Sequence, residues 1–485
     1  MHSSVDVAVI GSGFGGLTGA ALAAHSGLRT AVFERHTRPG GCAGDFGLEG
    51  FTFPAGATVV TGLEPGGILH QVFAKLDKTV TSTHLDPSIV FHLGGRTVPY
   101  VASHREWRRV FSETFPSAPA GYLDFWDWVE RTGDVVYQIG ASLPSLPLRR
   151  PADFRRTIRA AHPRALRTVP LLWATVGGIK RKYGAVGHRG ADSLIDALLL
   201  DATGATADEC SAIQGAIALD LYRRGCQWVP GGTAGLAMEL VRSIRGDQGE
   251  VHFRTGIKRI ERRGRRWRLL TDDNREVVAA SVIANVPPAG LDRLLGREER
   301  LPAAGTAWGA FVVHLGIDAT GIGPVHPYHQ VVSANDDVHE PGGSCLVSIF
   351  PGRAQKAHRW SISVSTHVAV SRDEPLTACS RQRLEQKLLT HVETVIPDVR
   401  SRVCALRSAT PATFERFTSR PGGFVGGVKQ VPGVVALRAP GHRPASGLFL
   451  AGDHVFPGQG TVGTALSGIN AYRDAAEYLG RKAIL

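Results

Sequence analysis

No uninterrupted apolar run in this chain reaches the roughly 20 residues a bilayer-spanning helix needs, so no such helix is expected. The six cysteines (Cys42, Cys210, Cys226, Cys345, Cys379, Cys404) are scattered, with no Cys-x-x-Cys pair and no metal-ligand spacing. A disulfide framework is therefore excluded, and free thiols in a reducing cytoplasm are the expectation. The 19 histidines do not compensate, because none pairs as His-x-x-x-His beside an acid on a helix-like segment, and no metal is expected. An apolar strand begins at Val5, which leaves no room for a basic and apolar leader. Internal repeats and low-complexity linkers are missing too. Despite a net charge of +12, nothing has the pattern of a nucleic-acid-reading module, and nucleic acid is not an expected partner.

What is present begins at the N-terminus. The strand Val5-Asp-Val-Ala-Val-Ile10 runs straight into Gly11-x-Gly13-x-x-Gly16. Gly11 allows a tight turn, Gly13 lets backbone approach a pyrophosphate, and Gly16 lets the next helix pack closely, so that its N-terminus points at phosphate. The helix is rich in small residues and stops at Gly27; a second strand, Thr30-Ala-Val-Phe-Glu34, ends on an acid. Glu34 falls near the position, about 20 residues on, where a carboxylate takes a ribose hydroxyl and would repel a 2′-phosphate. A dinucleotide other than NADP is the expected ligand.

Two further motifs extend the site. Arg35-His-Thr-Arg-Pro-Gly-Gly41-Cys42 follows the acid, and Gly447-Leu-Phe-Leu-Ala-Gly452-Asp453-His454 through Gly460-Thr461-Val462 reads as strand, loop and a second helix start. Sites at both ends of the chain suit a long cofactor lying between the termini. Here the sequence resembles the FAD-containing amine-oxidase and phytoene-desaturase superfamily. The carotenoid desaturase and isomerase branch is the nearest resemblance, including desaturases acting near the end of a hydroxylated carotenoid. It is carried by Pro39-Gly-Gly-Cys-Ala-Gly-Asp-Phe46, Gly50-Phe-Thr-Phe-Pro-Ala-Gly56-Ala57-Thr58, Trp228-Val-Pro-Gly-Gly232, Thr410-Pro-Ala-Thr-Phe-Glu-Arg-Phe-Thr418 and Phe456-Pro-Gly-Gln-Gly460. Pro54 stands where the family commonly has an acid, so the backbone contacts around Gly56 are expected to differ.

The resemblance implies an α/β chain: a discontinuous Rossmann-like FAD-binding domain with a mixed α+β substrate-binding domain. It places Ser12, Phe14 and Gly15 with Gly11, Gly13 and Gly16 on the pyrophosphate, Glu34 and Arg35 at the adenosine ribose, and Gly41, Cys42, Ala57 and Thr58 along the flavin. Ile257 is expected to offer backbone to the adenine. Asp453, after Gly452, is expected to bond the ribityl chain or diphosphate, and Gly460, Thr461 and Val462 to present helix-start amides to the pyrimidine end. Asp453 also reads as a helix cap, a role compatible with cofactor binding. His454 reads as a packing residue.

Motifs at both termini require one domain to be discontinuous. The expected FAD domain comprises residues 1–80, 225–300 and 435–485, and the substrate domain residues 81–224 and 301–434. Charge is concentrated between Arg149 and Arg189, with eleven basic residues against the single acid Asp153, interleaved with Leu166, Val169, Leu171, Leu172 and Trp173. Such a segment suits the surface of an anionic bilayer. It implies an enzyme peripheral on the cytoplasmic face of a membrane, drawing a lipophilic polyene from it. The expected activity is carotenoid desaturation by hydride transfer to flavin; redox-neutral cis/trans isomerisation, a flavin-free lipid-binding escort of the same fold, and amine oxidation are the alternatives. With one nucleotide fingerprint, assigned to FAD, a quinone or oxygen is the expected electron acceptor. No triad is visible, and Glu415 reads equally as a surface partner of Arg416, so the catalytic base stays unassigned.

Overall fold

Val7, Ala8 and Val9 are wholly buried because their strand, Ser3–Ile10, lies inside a sheet covered on both faces, where an unbroken apolar run is stable. The computed structural model describes residues 3–147, 153, 163–299, 308–334, 336–352, 357–370, 376–434 and 442–485. Ser3–Ile10 pairs in parallel with Glu276–Ala284 on one side and Thr30–Phe33 on the other, and Glu250–His252 extends the sheet. The hairpin Ile257–Arg263 and Arg266–Thr271 adds antiparallel strands, and Leu448–Leu450, from the far end of the chain, pairs in parallel with Val282–Ala284. The Rossmann-like sheet is thus assembled from three separated parts of the sequence.

Register decides what this sheet presents. Ile10 lies opposite both Ala284 and Phe33, so three parallel strands end level. The residues that follow, Gly11, Glu34 and Asn285, share one carboxyl edge, where open α/β sheets bind ligands. The helix Phe14–His25 leaves that edge and packs against the last long helix, Gly460–Tyr478. Small residues make this possible: a Cβ on Gly15 would lie 2.8 Å from Thr464 O, and one on Gly468 2.2 Å from Gly15 O. Both helix starts consequently face the same space.

A second sheet of eight strands carries the rest. Trp308–Asp318 is a long inner strand that pairs with Val403–Ala409, the short Phe424–Val425 and Arg359–Ala369, beyond which follow Ser344–Phe350, Tyr328–Val332, Ile89–Leu93 and Arg96–Tyr100. It is antiparallel except where Tyr328–Val332 runs alongside Ile89–Leu93. Helices His104–Thr114, Gly121–Ala141, Arg189–Thr203 and Ala212–Gly225 pack on it around Tyr100, Trp107, Phe111 and Trp126. Tyr100 and Trp107 meet edge to face at 4.5 Å, and Trp107 and Trp126 at 5.2 Å; such pairs add about 0.5–1.5 kcal/mol each beyond area burial.

Within the basic segment, Arg149, Arg150, Arg155, Arg156 and Arg159 and the side chain of Arg164 lie outside the described residues. The remainder divides between surface and core. Leu166, Val169 and Trp173 are 75%, 48% and 66% exposed, whereas Leu171 is half-buried against the helical core. Lys180 is buried and donates to Asp192 at 2.6 Å, so it adds nothing to a surface charge. Among the described helices, none is long and apolar enough to cross a membrane.

Candidate functional site

A single cavity of about 1350 Å³ opens along the carboxyl edge of the first sheet and continues across the face of the second. Its first end is built by the level strand ends. Gly11 has a φ of +87°, a conformation that favours glycine, and a Cβ there would come within 2.9 Å of Asn285 O. Gly13 has an ordinary φ, but its Cβ would stand 2.2 Å from Asn285 Nδ2. The Gly16 amide donates to Asn285 Oδ1 at 2.9 Å, which locks the side chain beneath the glycine turn. Asn285 is absent from the sequence-based site, since Ala284-Asn-Val-Pro has no nucleotide-binding spacing of its own.

Glu34 is buried and fully directed. Its Oε2 accepts from the Ser12 amide at 2.8 Å and Ser12 Oγ at 2.7 Å, and its Oε1 accepts from the His36 amide at 2.8 Å. Three donors fix the carboxylate at the wall, with Oε1 still able to accept from a hydroxyl. Arg35 also lines the cavity, yet its guanidinium donates to Ser419 Oγ and to the main-chain oxygens of Arg416 and Phe417, clamping the end of helix Pro411–Thr418 over this side. Ile257, at the start of its strand, reaches the same end.

The sequence-predicted residues sort clearly. Gly11, Gly13, Phe14, Gly15, Glu34, Arg35, Gly41, Cys42, Ala57, Thr58, Ile257, Gly452, Asp453, Gly460 and Thr461 line this one cavity. Ser12, Gly16 and Val462 are not on its wall: Ser12 sits behind Glu34, Gly16 against Gly11 O, and Val462 against Gly62. Gly41 and Cys42 form a short turn joined to the glycine loop by the Gly40 amide, which donates to Ser12 O at 2.8 Å. The Ala57 amide donates to Cys42 O at 2.8 Å, placing the Gly56 segment beside this turn even with Pro54 in it. Burial pushes the Cys42 thiol upward, keeping it neutral.

At the second helix start, Asp453 is 14% exposed and accepts hydrogen bonds from one Arg420 nitrogen, Nη2, at 2.8 and 3.0 Å. Burial alone would raise the Asp453 carboxyl, but the Arg420 guanidinium outweighs it and holds the group below its ordinary range. For Arg420, burial pulls downward and the carboxylate more than restores it. Burial lowers His454 to about 4, so it stays neutral, packed edge to face on Phe424 at 5.1 Å. Arg420 was not singled out in the sequence; its only signal is its place in Ser419-Arg-Pro-Gly-Gly423, a turn following a recognised motif.

These features fit a flavin dinucleotide. Neither helix start, at Phe14 or Gly460, is capped by its N-cap side chain, which leaves first-turn amides other than that of Gly16 to bind anionic oxygen. The Gly13 position is one that a Cβ would fill, and Glu34 ends the second strand on the cavity wall. Arg420 Nη1 is buried and has no hydrogen-bond partner among the described residues, a fixed positive donor on the cavity wall. The opposite end is different in character, with Leu200, Leu221, Tyr222, Trp308, Val312 and Leu346 giving an apolar chamber.

Fold and site together define a flavoprotein oxidoreductase of α/β architecture, with FAD as its cofactor. The chain belongs to the flavin-containing amine oxidoreductase family, whose model matches residues 14–475. It is similar to the chloroplastic prolycopene isomerase of Arabidopsis thaliana, 27% identical over 514 residues, 98% of this chain and 83% of that protein. It is also similar to a zeta-carotene-forming phytoene desaturase of Myxococcus xanthus, 27% identical over 299 residues, 60% of this chain and 55% of that protein. A putrescine oxidase solved with putrescine has the same fold, with a TM-score of 0.66 at 16% identity over 99% of this chain and 100% of that one.

Proposed function

We propose that the enzyme desaturates a carotenoid or related lipophilic polyene, removing two hydrogens across a C–C bond. The observation that carries this reading is the apolar chamber of Leu200, Leu221, Trp308, Val312 and Leu346, continuous with the dinucleotide cradle in one cavity. A hydrocarbon gains about 25 cal/mol per Å² of apolar surface moved there from water. FAD supplies hydride acceptance from an allylic carbon when bound. The protein's part is to hold the polyene in register, exclude water and accept a proton.

Redox-neutral isomerisation is a second reading, favoured by one observation: the prolycopene isomerases match 97–98% of this chain, the desaturase 60%. Expression in a host accumulating one defined carotenoid separates the two. Loss of two hydrogens with longer-wavelength absorption supports desaturation; unchanged mass with altered geometry supports isomerisation and refutes desaturation.

The reading includes peripheral docking on the cytoplasmic face of an anionic membrane, with a quinone or oxygen accepting the electrons. Its support is the exposed trio Leu166, Val169 and Trp173, with Arg167, Lys182 and Arg189 exposed nearby. Each basic residue at such a surface contributes about 1 kcal/mol of attraction to anionic lipid.

A further inference from the structure

We propose that Asp201 and His367 form the proton-handling pair of the apolar chamber, with Asp201 taking the proton lost from the polyene carbon next to the one that gives up hydride. This rests on the desaturation reading.

Five carboxylates line the cavity, and four are committed elsewhere. Glu34 is held by the three donors of the glycine-loop side, Asp453 by Arg420, and Asp45 by Arg38 at 2.6 Å. Asp272 lies at the other end of the cavity, beside Gly256 and Ile257. Asp201 alone stands among the apolar residues. It lies in the last turn of helix Arg189–Thr203, and its Oδ1 is 3.5 Å from His367 Nδ1 on strand Arg359–Ala369. Each side chain is 21% exposed, and both line the cavity. The His367 ring meets Trp308 edge to face at 6.2 Å, which fixes its orientation.

The pair is also tied to the flavin end. Gln459 immediately precedes the helix start at Gly460, and its Nε2 donates to Asp201 O at 3.0 Å. One hydrogen bond therefore sets the position of the carboxyl relative to the amides of the second helix start.

The environment leaves Asp201 able to exchange a proton near neutrality, beside a neutral His367. Burial raises Asp201 to about 7, partly offset by a hydrogen bond from Gln330 on strand Tyr328–Val332. Burial lowers His367 to about 4. The other titratable groups facing Asp201 are Tyr222 on helix Ala212–Gly225 and Cys345 on strand Ser344–Phe350, and burial pushes both upward, keeping them neutral. No fixed cation opposes proton uptake in this set, unlike the arginine held against Asp453.

The step balances simply. The C–H bond of the polyene carbon breaks, its electron pair becomes part of the new C=C, and the proton moves to the Asp201 carboxylate, giving the neutral acid; the other hydrogen leaves as the hydride that FAD accepts. His367, neutral at this pH, is the positioning partner, its Nδ1 3.5 Å from the carboxyl that takes the proton.

The test compares wild type with Asp201→Asn, Asp201→Glu and His367→Gln, each loaded with FAD. A carboxyl infrared band titrating near pH 7 is expected in wild type and its loss in Asp201→Asn, a readout independent of turnover. For Asp201→Asn, kcat is expected to fall at least about 100-fold with KM and flavin spectrum kept, as for removal of a general base. The rise of wild-type kcat through about pH 7 should flatten in Asp201→Asn. Asp201→Glu should restore part of kcat, and His367→Gln should shift the pH profile. Wild-type kcat in Asp201→Asn, or no carboxyl titrating near pH 7, overturns the pair while leaving the desaturase reading intact. A wild type that removes no hydrogens from any polyene overturns that reading, and this role with it.

Discussion

Arg420→Met is the sharpest probe of the electrostatics at the second helix start, because it leaves Asp453, only 14% exposed, without its cation. The wild-type pair has two oxygen contacts to one nitrogen, at 2.8 and 3.0 Å, with the side chains only 11% and 14% exposed. Removing one partner of such a pair costs about 3–5 kcal/mol. The loss has a ceiling set by proton uptake: neutralising an acid of ordinary pKa 3.9 costs about 4 kcal/mol at pH 7 and about 1.5 kcal/mol at pH 5. The sign follows from the direction of each shift. In wild type, Asp453 is held below its unfolded value, so its contribution is present above that value and lost only as pH falls through the folded one. In Arg420→Met, burial without the cation puts the folded value above the unfolded one, so stability falls as pH rises. The deficit should therefore grow by up to about 1.4 kcal/mol per pH unit between pH 5 and 7. Urea unfolding at pH 5, 6 and 7, with FAD affinity in parallel, measures it. A deficit equal at all three pH values, or an Arg420→Met/Asp453→Asn double variant less stable than Arg420→Met, would refute the argument.

Other expectations follow from the same geometry. Gly13→Val should give a folded but colourless protein, since even its Cβ would fall 2.2 Å from Asn285 Nδ2; circular dichroism and flavin absorbance check this, and full FAD content would contradict it. Ser12→Ala removes one donor from Glu34 and should weaken FAD binding by about 0.5–1.5 kcal/mol, read by titrating the apoprotein. Anaerobic turnover should be sustained by a quinone and not by NADP; strict dependence on a nicotinamide would reveal a second nucleotide site. Changing Leu166, Val169 and Trp173 together to serine should abolish co-sedimentation with anionic vesicles at low salt while keeping the flavin spectrum, and unaltered binding would make this face merely solvated.

Some of this molecule is local and could be read directly from the chain. A strand, a glycine turn and a small-residue helix use short-range rules, since Gly11 needs its φ of +87° whatever surrounds it, and an unbroken apolar run needs cover on both faces. That was enough for a dinucleotide cradle at Gly11, Gly13, Gly16 and Glu34; FAD as the cofactor, and Asp453 and Gly460 as residues of its site, came from the family resemblance. Other features depend on distant segments meeting. Asn285 acquires its role because Ala284 falls level with Ile10 in a parallel register that no local spacing encodes. Arg420 gains its partner across 33 residues, and Asp201 finds His367 only because a helix end is laid against a strand of another sheet. Exposure is decided the same way: Leu171 and Trp173 look alike in a basic, apolar segment, yet packing turns one inward and the other to solvent. The sequence by itself determined which ligand chemistry the strand ends would offer, because glycine conformation and strand-end charge act over a few residues. Only tertiary structure decided which acids are clamped by arginine and which is left in an apolar chamber, because desolvation and pairing depend on what the whole fold brings within a few ångströms.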